Sequence, residues 1–194
     1  MRTFVLITLA SVLVCLGSSC TARQQAKQTE PEYRPTGTIK DLMDSMVDPS
    51  ADFLWDSVAT TVSAKGIEEK APHTDEEWAE VRRRAITLLE ATNLLLMPGR
   101  KVAKPGEKAD DPNVELGPEQ IEQLINQDRK TWSDRAHGLH DSAVASLKAI
   151  EAKDAEALLN SGDGIDQACE KCHLVYWYPE EAKRLKEAEQ TLKK

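Results

Sequence analysis

The chain has 194 residues, a formal net charge of −8 and 40% hydrophobic residues, enough for one domain with appendages. The acidic balance, with no basic block, excludes nucleic acid as a partner; Arg82-Arg83-Arg84 is a solvated face of an acidic helix. Aromatic content is only 5%, which suits helices better than a sandwich or barrel.

Residues 1–20 read as an export signal. Arg2 gives a short positive start, residues 4–16 are apolar except for Thr8 and Ser11, and Gly17-Ser18-Ser19 supplies small residues before Cys20. The apolar run is short for a membrane span and fits a signal-peptide core. Small residues before a cysteine resemble the lipobox of bacterial lipoproteins, which makes Cys20 a candidate for lipidation. The match departs at Gly17, where that motif favours an aliphatic residue. The alternatives are ordinary cleavage near Ser18 or Ser19, or an uncleaved anchor. Residues 21–37 are polar, contain Pro31 and Pro35, and read as a flexible tether.

A domain is expected over residues 38–178. Thr38 with Asp41 predicts a helix start, and Ile39, Leu42, Met43 and Met46 fall on one face. Pro49 requires a kink or restart. Phe53, Leu54, Val58 and Val62 continue an apolar stripe to Lys65-Gly66. Thr74-Asp75-Glu76-Glu77 predicts a second helix, carrying Trp78, Val81, Ala85, Leu88, Leu89, Thr92 and Leu95 and ending at Pro98-Gly99. Residues 100–117 form a long loop. Pro118 opens a third helix, whose apolar side runs from Ile121 through Trp132, Ala136 and Leu139 to Ile150. Lys153-Asp154 ends it. The fourth helix begins at Ala155, is loosened at Gly162-Asp163-Gly164, and resumes through Tyr176. Residues 179–194 form a charged tail helix. No strand-like alternation is seen. The expected fold is all-α, an antiparallel four-helix bundle.

The four cysteines do not form a disulfide framework: Cys15 and Cys20 belong to the signal, leaving Cys169 and Cys172 in the domain. These stand in Cys169-Glu170-Lys171-Cys172-His173. Two cysteines at this spacing can each add sulfur to one vinyl group of the same haem, and the adjacent histidine can bind its iron. A zinc site would need a second ligand pair, and the mature domain has no other cysteine. A thioredoxin-like pair would follow a strand. The pattern therefore points to one covalently attached haem c, with Cys169, Cys172 and His173 as its attachment and ligand residues.

With its motif near the C-terminus on the last of four helices, the chain resembles the class II c-type cytochromes, the cytochrome c prime group. Residues 143–158, AVASLKAIEAKDAEAL, look like that group's third helix, turn and fourth-helix start, and residues 165–173 match its haem-attachment end. The resemblance covers residues 38–178. It implies His173 as proximal ligand and, on the first helix, either a distal methionine or an apolar residue that leaves a pocket for small gases. Met43 is the preferred distal ligand and Met46 the second choice; both can also be core filler. Lys40 is a rough stand-in for the group's arginine near a propionate, and Arg100 is another candidate. The group's basic residue after the histidine is absent; Leu174-Val175-Tyr176-Trp177-Tyr178 stands there. Those aromatics either pack on the haem edge or seal the bundle end. Met97 is a distant alternative ligand. His137 and His140, three apart on the third helix, lack the further ligands a second metal site would need and read as surface or propionate-facing, and His73, before a helix cap, is expected in solvent. Trp55, Trp78 and Trp132 are expected in the core.

The resulting expectation is a single-electron carrier that is not an enzyme. It sits on the periplasmic side of a bacterial membrane, anchored through lipid on Cys20, or is soluble in the periplasm. Its partners are redox proteins, and a homodimer is an option. A five-coordinate protein binding NO or CO, and a haem subunit docked to a larger redox complex, are the alternatives.

Overall fold

The computed structural model describes residues 32–193. The export signal, Cys15, Cys20 and most of the tether lie outside the described residues. Among those described, no helix is long and apolar enough to cross a membrane.

The first helical run has three parts: α1 (Ile39–Leu42), a π-helical stretch (Met43–Val47) and α2 (Asp48–Ser57). Thr38 caps it, accepting from the Asp41 N–H, while the Asp41 carboxylate accepts from the Thr38 N–H. The long loop closes the same end, because the Ile39 and Lys40 N–H groups donate to the Lys101 and Val102 carbonyls at 2.8 and 3.0 Å. The run does not stop at Pro49. A proline ring crowds the carbonyl four residues back, here Ser45, and offers no N–H. The wide turn before it absorbs both defects, with the Asp48 N–H bonding five residues back to Met43 O.

Two strands follow, β1 (Ala59–Ser63) and β2 (Gly66–Lys70), antiparallel with Ser63 opposite Gly66. This corrects the expectation of no strands, and of a buried helical stripe reaching Val62. Val62 is 76% exposed and faces Ile67, itself 69% exposed. Thr60, Thr61 and Val62 are β-branched and favour extended backbone, and Gly66, at φ 123°, supplies a turn that side chains resist.

The remaining elements are α3 (Asp75–Leu95), α4 (Pro118–Gln127), α5 (Arg129–Glu151), α6 (Ala155–Tyr176) and α7 (Pro179–Leu192). The expected third helix is thus two. Asp128 breaks it at φ −136°, ψ 74° and caps α5 by accepting from the Thr131 N–H. α6 runs unbroken through Gly162 and Gly164, against the expected loosening. Gly162 serves close packing there: a Cβ on it would stand 3.0 Å from the Trp55 ring, whose Nε1–H donates to Gly162 O at 3.2 Å. The turn at Lys153 is a Schellman closure with Lys153 at φ 52°: its N–H reaches Ile150 O and the Asp154 N–H reaches Ala149 O.

The first run, α3, α5 and α6 form an antiparallel four-helix bundle. Neighbouring pairs are α2 with α3, α3 with α5, α5 with α6, and α6 with α2. The pairings give direction. Lys153 beyond α5 bonds Asp75 at the start of α3, whereas Trp132 at the start of α5 bonds Leu95 at the end of α3. Ala85, Ala143 and Ser146 are fully buried small residues that let the helices approach closely. The core falls into two clusters. One contains Val47, Leu54, Leu88, Leu139, Ile150 and Ile165; the other, at the end where α6 terminates, contains Ile39, Leu42, Leu95, Ile125, Trp132 and Tyr176. Met43 and Met46 touch both.

Candidate functional site

A cavity of about 400 Å³ opens between these clusters, within the roughly 300–1,000 Å³ of ligand and cofactor sites. Cys169, Cys172 and His173 form its α6 wall, one helical face set by spacings of three and four residues. Met43, Val47 and Ala51 line it from the first helical run, Leu95 from α3, and Trp132, Ala136 and Leu139 from α5. Asp48, Asp52, Asp166 and Glu170 also line it, bringing carboxylates to an otherwise apolar hollow.

Both cysteines carry free thiols. Burial, with Asp48 nearby, pushes Cys169 up to about 11; burial, with Cys169 beside it, pushes Cys172 up to about 12. A catalytic redox pair needs a lowered thiol pKa, and here the shift runs the other way. The motif also follows no strand. Among the described residues no group of three or more His, Cys, Asp or Glu can hold a metal ion. The redox-dithiol and zinc readings therefore lose support. His173 is pulled below its usual value by burial, with Asp48 opposing, so its imidazole is neutral near pH 7 and can act as a ligand.

The structure separates the two candidate methionines. Met43 faces the cavity that holds His173; Met46 is not among its lining residues and packs between the clusters. Met97 accepts from Arg100 Nη2 at 3.1 Å, away from the cavity. Lys40 and Arg100 are engaged elsewhere. Lys40 Nζ bonds both Asp110 oxygens at 2.8 and 2.9 Å, and Arg100 donates to the Leu94 and Gly37 carbonyls.

The cation at the cavity is Arg135, which the sequence reading did not single out. Its Nε is buried and has no hydrogen-bond partner among the described residues. The signal was present: Arg135 stands three residues after Trp132 and four before Leu139, a charge inside an apolar stripe. A haem fits this site on three counts. Two thiols and a neutral imidazole share one face, apolar side chains from the first helical run, α3 and α5 line much of the hollow between the four carboxylates, and an unpaired guanidinium nitrogen could meet an anionic oxygen. Arg135→Met should raise the stability of haem-free protein by about 1 kcal/mol, since an unpaired buried donor is removed. The same change should lower the stability of the haem-loaded protein, where a propionate would lose its partner. Thermal unfolding with and without haem checks the opposite signs.

Of the three tryptophans expected in the core, Trp78 and Trp132 are buried at 7% and 1% exposure, whereas Trp55 departs from the expectation, being 36% exposed among the cavity-lining residues. The aromatics after the motif divide between two tasks. Tyr176 is buried edge-on to Trp132, with centroids 5.1 Å apart. Trp177 and Tyr178 flank the His173 ring, each with its centroid 5.7 Å away.

Compared with known proteins, the chain matches no protein-family model and no curated protein. Among solved structures it is similar to a cytochrome c prime variant from Alcaligenes xylosoxidans in its nitric oxide complex. Identity there is 18% over 74% of this chain and 98% of that one, with a TM-score of 0.44. A second cytochrome c prime is 17% identical over 73% of this chain and 98% of that one, with a TM-score of 0.45. A ferrous variant from Alcaligenes xylosoxidans is 16% identical over the same shares, with a TM-score of 0.43.

Proposed function

We propose that this chain is a monohaem c-type cytochrome that carries single electrons. The observation that carries the reading is the cavity itself. Cys169, Cys172 and His173 line it from one helix, and Met43 lines it from another. Cys169 and Cys172 would attach the haem, His173 would bind its iron, Met43 would take the opposite side, and Arg135 would pair with a propionate. Haem, when bound, supplies a one-electron ferrous–ferric couple. The chain would supply apolar packing from Val47, Leu95, Trp132 and Leu139 against the group and, from Met43, a soft sulfur ligand that favours the reduced state.

A competing reading is a gas-binding haem protein with an open distal side; the similar protein from Alcaligenes xylosoxidans was captured with nitric oxide. Met43 in the cavity lining favours the electron carrier. The spectrum of the reduced protein decides between them: a high-spin form that shifts readily with carbon monoxide would overturn the methionine assignment.

Export and lipidation complete the proposal. Cys20 would become the lipidated first residue of the mature chain, with residues 21–37 as a tether on the periplasmic side. Intact-mass spectrometry should find one haem adduct on residues 20–194 plus a lipid on Cys20. Cleavage near Ser18 or Ser19 with no lipid would remove the anchor and leave a soluble periplasmic protein, and an unprocessed chain would overturn the lipid assignment while keeping a membrane anchor.

A further inference from the structure

The end of α6 holds a hydrogen-bond chain that haem attachment alone does not require. His173 Nδ1 lies 3.1 Å from the Tyr178 hydroxyl, and that hydroxyl donates to Glu170 Oε2 at 3.0 Å. A phenol has a single hydrogen. Because Tyr178 gives it to Glu170, its oxygen is an acceptor toward His173, and Nδ1 must carry the imidazole proton. The lone pair is then on Nε2.

The backbone is shaped to hold this contact. The Trp177 and Tyr178 N–H groups both donate to the His173 carbonyl, at 2.8 and 3.0 Å. Tyr178 then leaves the helix at φ −132°, ψ 64°, and Pro179 begins α7. This turn folds the Tyr178 ring back edge-on to the imidazole. The long loop straps the corner, with the Leu116 N–H donating to Trp177 O at 2.8 Å. Glu170 stands three residues before His173, on the same side of the helix.

We propose that Tyr178 and Glu170 are positioning residues that hold His173 as its Nδ1–H tautomer, fix its ring plane and strengthen Nε2 as a donor. A carboxylate on the far side of the hydroxyl makes the phenol oxygen a better acceptor, and the pull on Nδ1–H raises the basicity of the other nitrogen. The consequence for the iron rests on the haem-attachment reading; the tautomer does not. A stronger nitrogen donor favours ferric over ferrous iron and lowers the reduction potential.

The experiment has two arms. In haem-free ¹⁵N-labelled protein, imidazole nitrogen shifts should report the Nδ1–H form for His173, and Tyr178→Phe should reduce that form several-fold. In haem-loaded protein, Tyr178→Phe should move the oxidised–reduced equilibrium about tenfold toward ferrous, a rise of about 59 mV for one electron. Glu170→Gln should move it the same way by less, and the double variant no further than Tyr178→Phe, since Glu170 acts through the tyrosine. An unchanged tautomer and potential in Tyr178→Phe overturn the proposal, as does full additivity of the two changes. If Tyr178→Phe fails to fold, Glu170→Gln keeps the aromatic packing and decides the matter alone. A wild-type chain that takes up no haem sinks the haem-attachment reading, and the tautomer arm still tests the relay.

Discussion

Met43→Ala should convert the reduced, haem-loaded protein from a low-spin species indifferent to carbon monoxide into a high-spin one that binds it, with a lower reduction potential. Met43 is the one residue with a soft donor atom among those with which the first helical run lines the cavity, and losing such a ligand would remove its preference for ferrous iron. Met46→Ala is the control. Met46 packs between the two core clusters without lining the cavity, so its loss should cost about 1–2 kcal/mol of stability and leave the spectrum unchanged. If Met43→Ala leaves spectrum and potential as they were, Met43 is not a ligand. If Met46→Ala changes them instead, the two methionines exchange roles.

The choice between these methionines shows where sequence reasoning stops. Residues three apart on an α-helix share a face, so periodicity did not separate Met43 from Met46, and the preference for Met43 rested on Lys40 one turn before it, a side chain that the structure pairs with Asp110 instead. The π-helical stretch begins at Met43 and closes its bonds five residues apart. More residues per turn swing Met46 away from the direction Met43 keeps. Pro49 announced a disturbance, but not that the helix would widen and continue. The break at Asp128 was hidden for a related reason. Ile125 and Trp132 are seven residues apart, two helical turns, so the apolar stripe ran across the break without a misstep. The hairpin gave no alternation because both of its faces are exposed. By contrast, the starts at Thr38 and Thr74 and the turn at Lys153-Asp154 were legible, because each depends on side-chain bonds spanning only three residues. That Cys169, Cys172 and His173 would share one wall of a cavity was legible too, since they belong to a single helix. Arg135 and Tyr178 were not identified as site residues, because their roles exist only once α5 and the α6–α7 corner meet that helix.

Trp132→Ala should be the most destabilising single substitution in the cavity wall. The side chain is 1% exposed, its Nε1–H donates to Leu95 O at 3.1 Å, and its ring meets Tyr176 edge-on. Truncation removes a large apolar surface, leaves a hole against α3 and frees a helix-end carbonyl, together about 3–5 kcal/mol. For a domain of this size that is a fall of roughly 10 °C in Tm. Trp55→Ala provides the contrast. It deletes a ring that is 36% exposed and one bond to Gly162 O, so it should cost about 1 kcal/mol. Thermal unfolding of the haem-free protein measures both without reference to the cofactor. Equal losses would mean that Trp132 does not join α3, α5 and the end of α6 as its contacts indicate. The expected gap would place the structural keystone on the cavity wall, where packing against Tyr176 sets the end of α6 from which His173 and Tyr178 project.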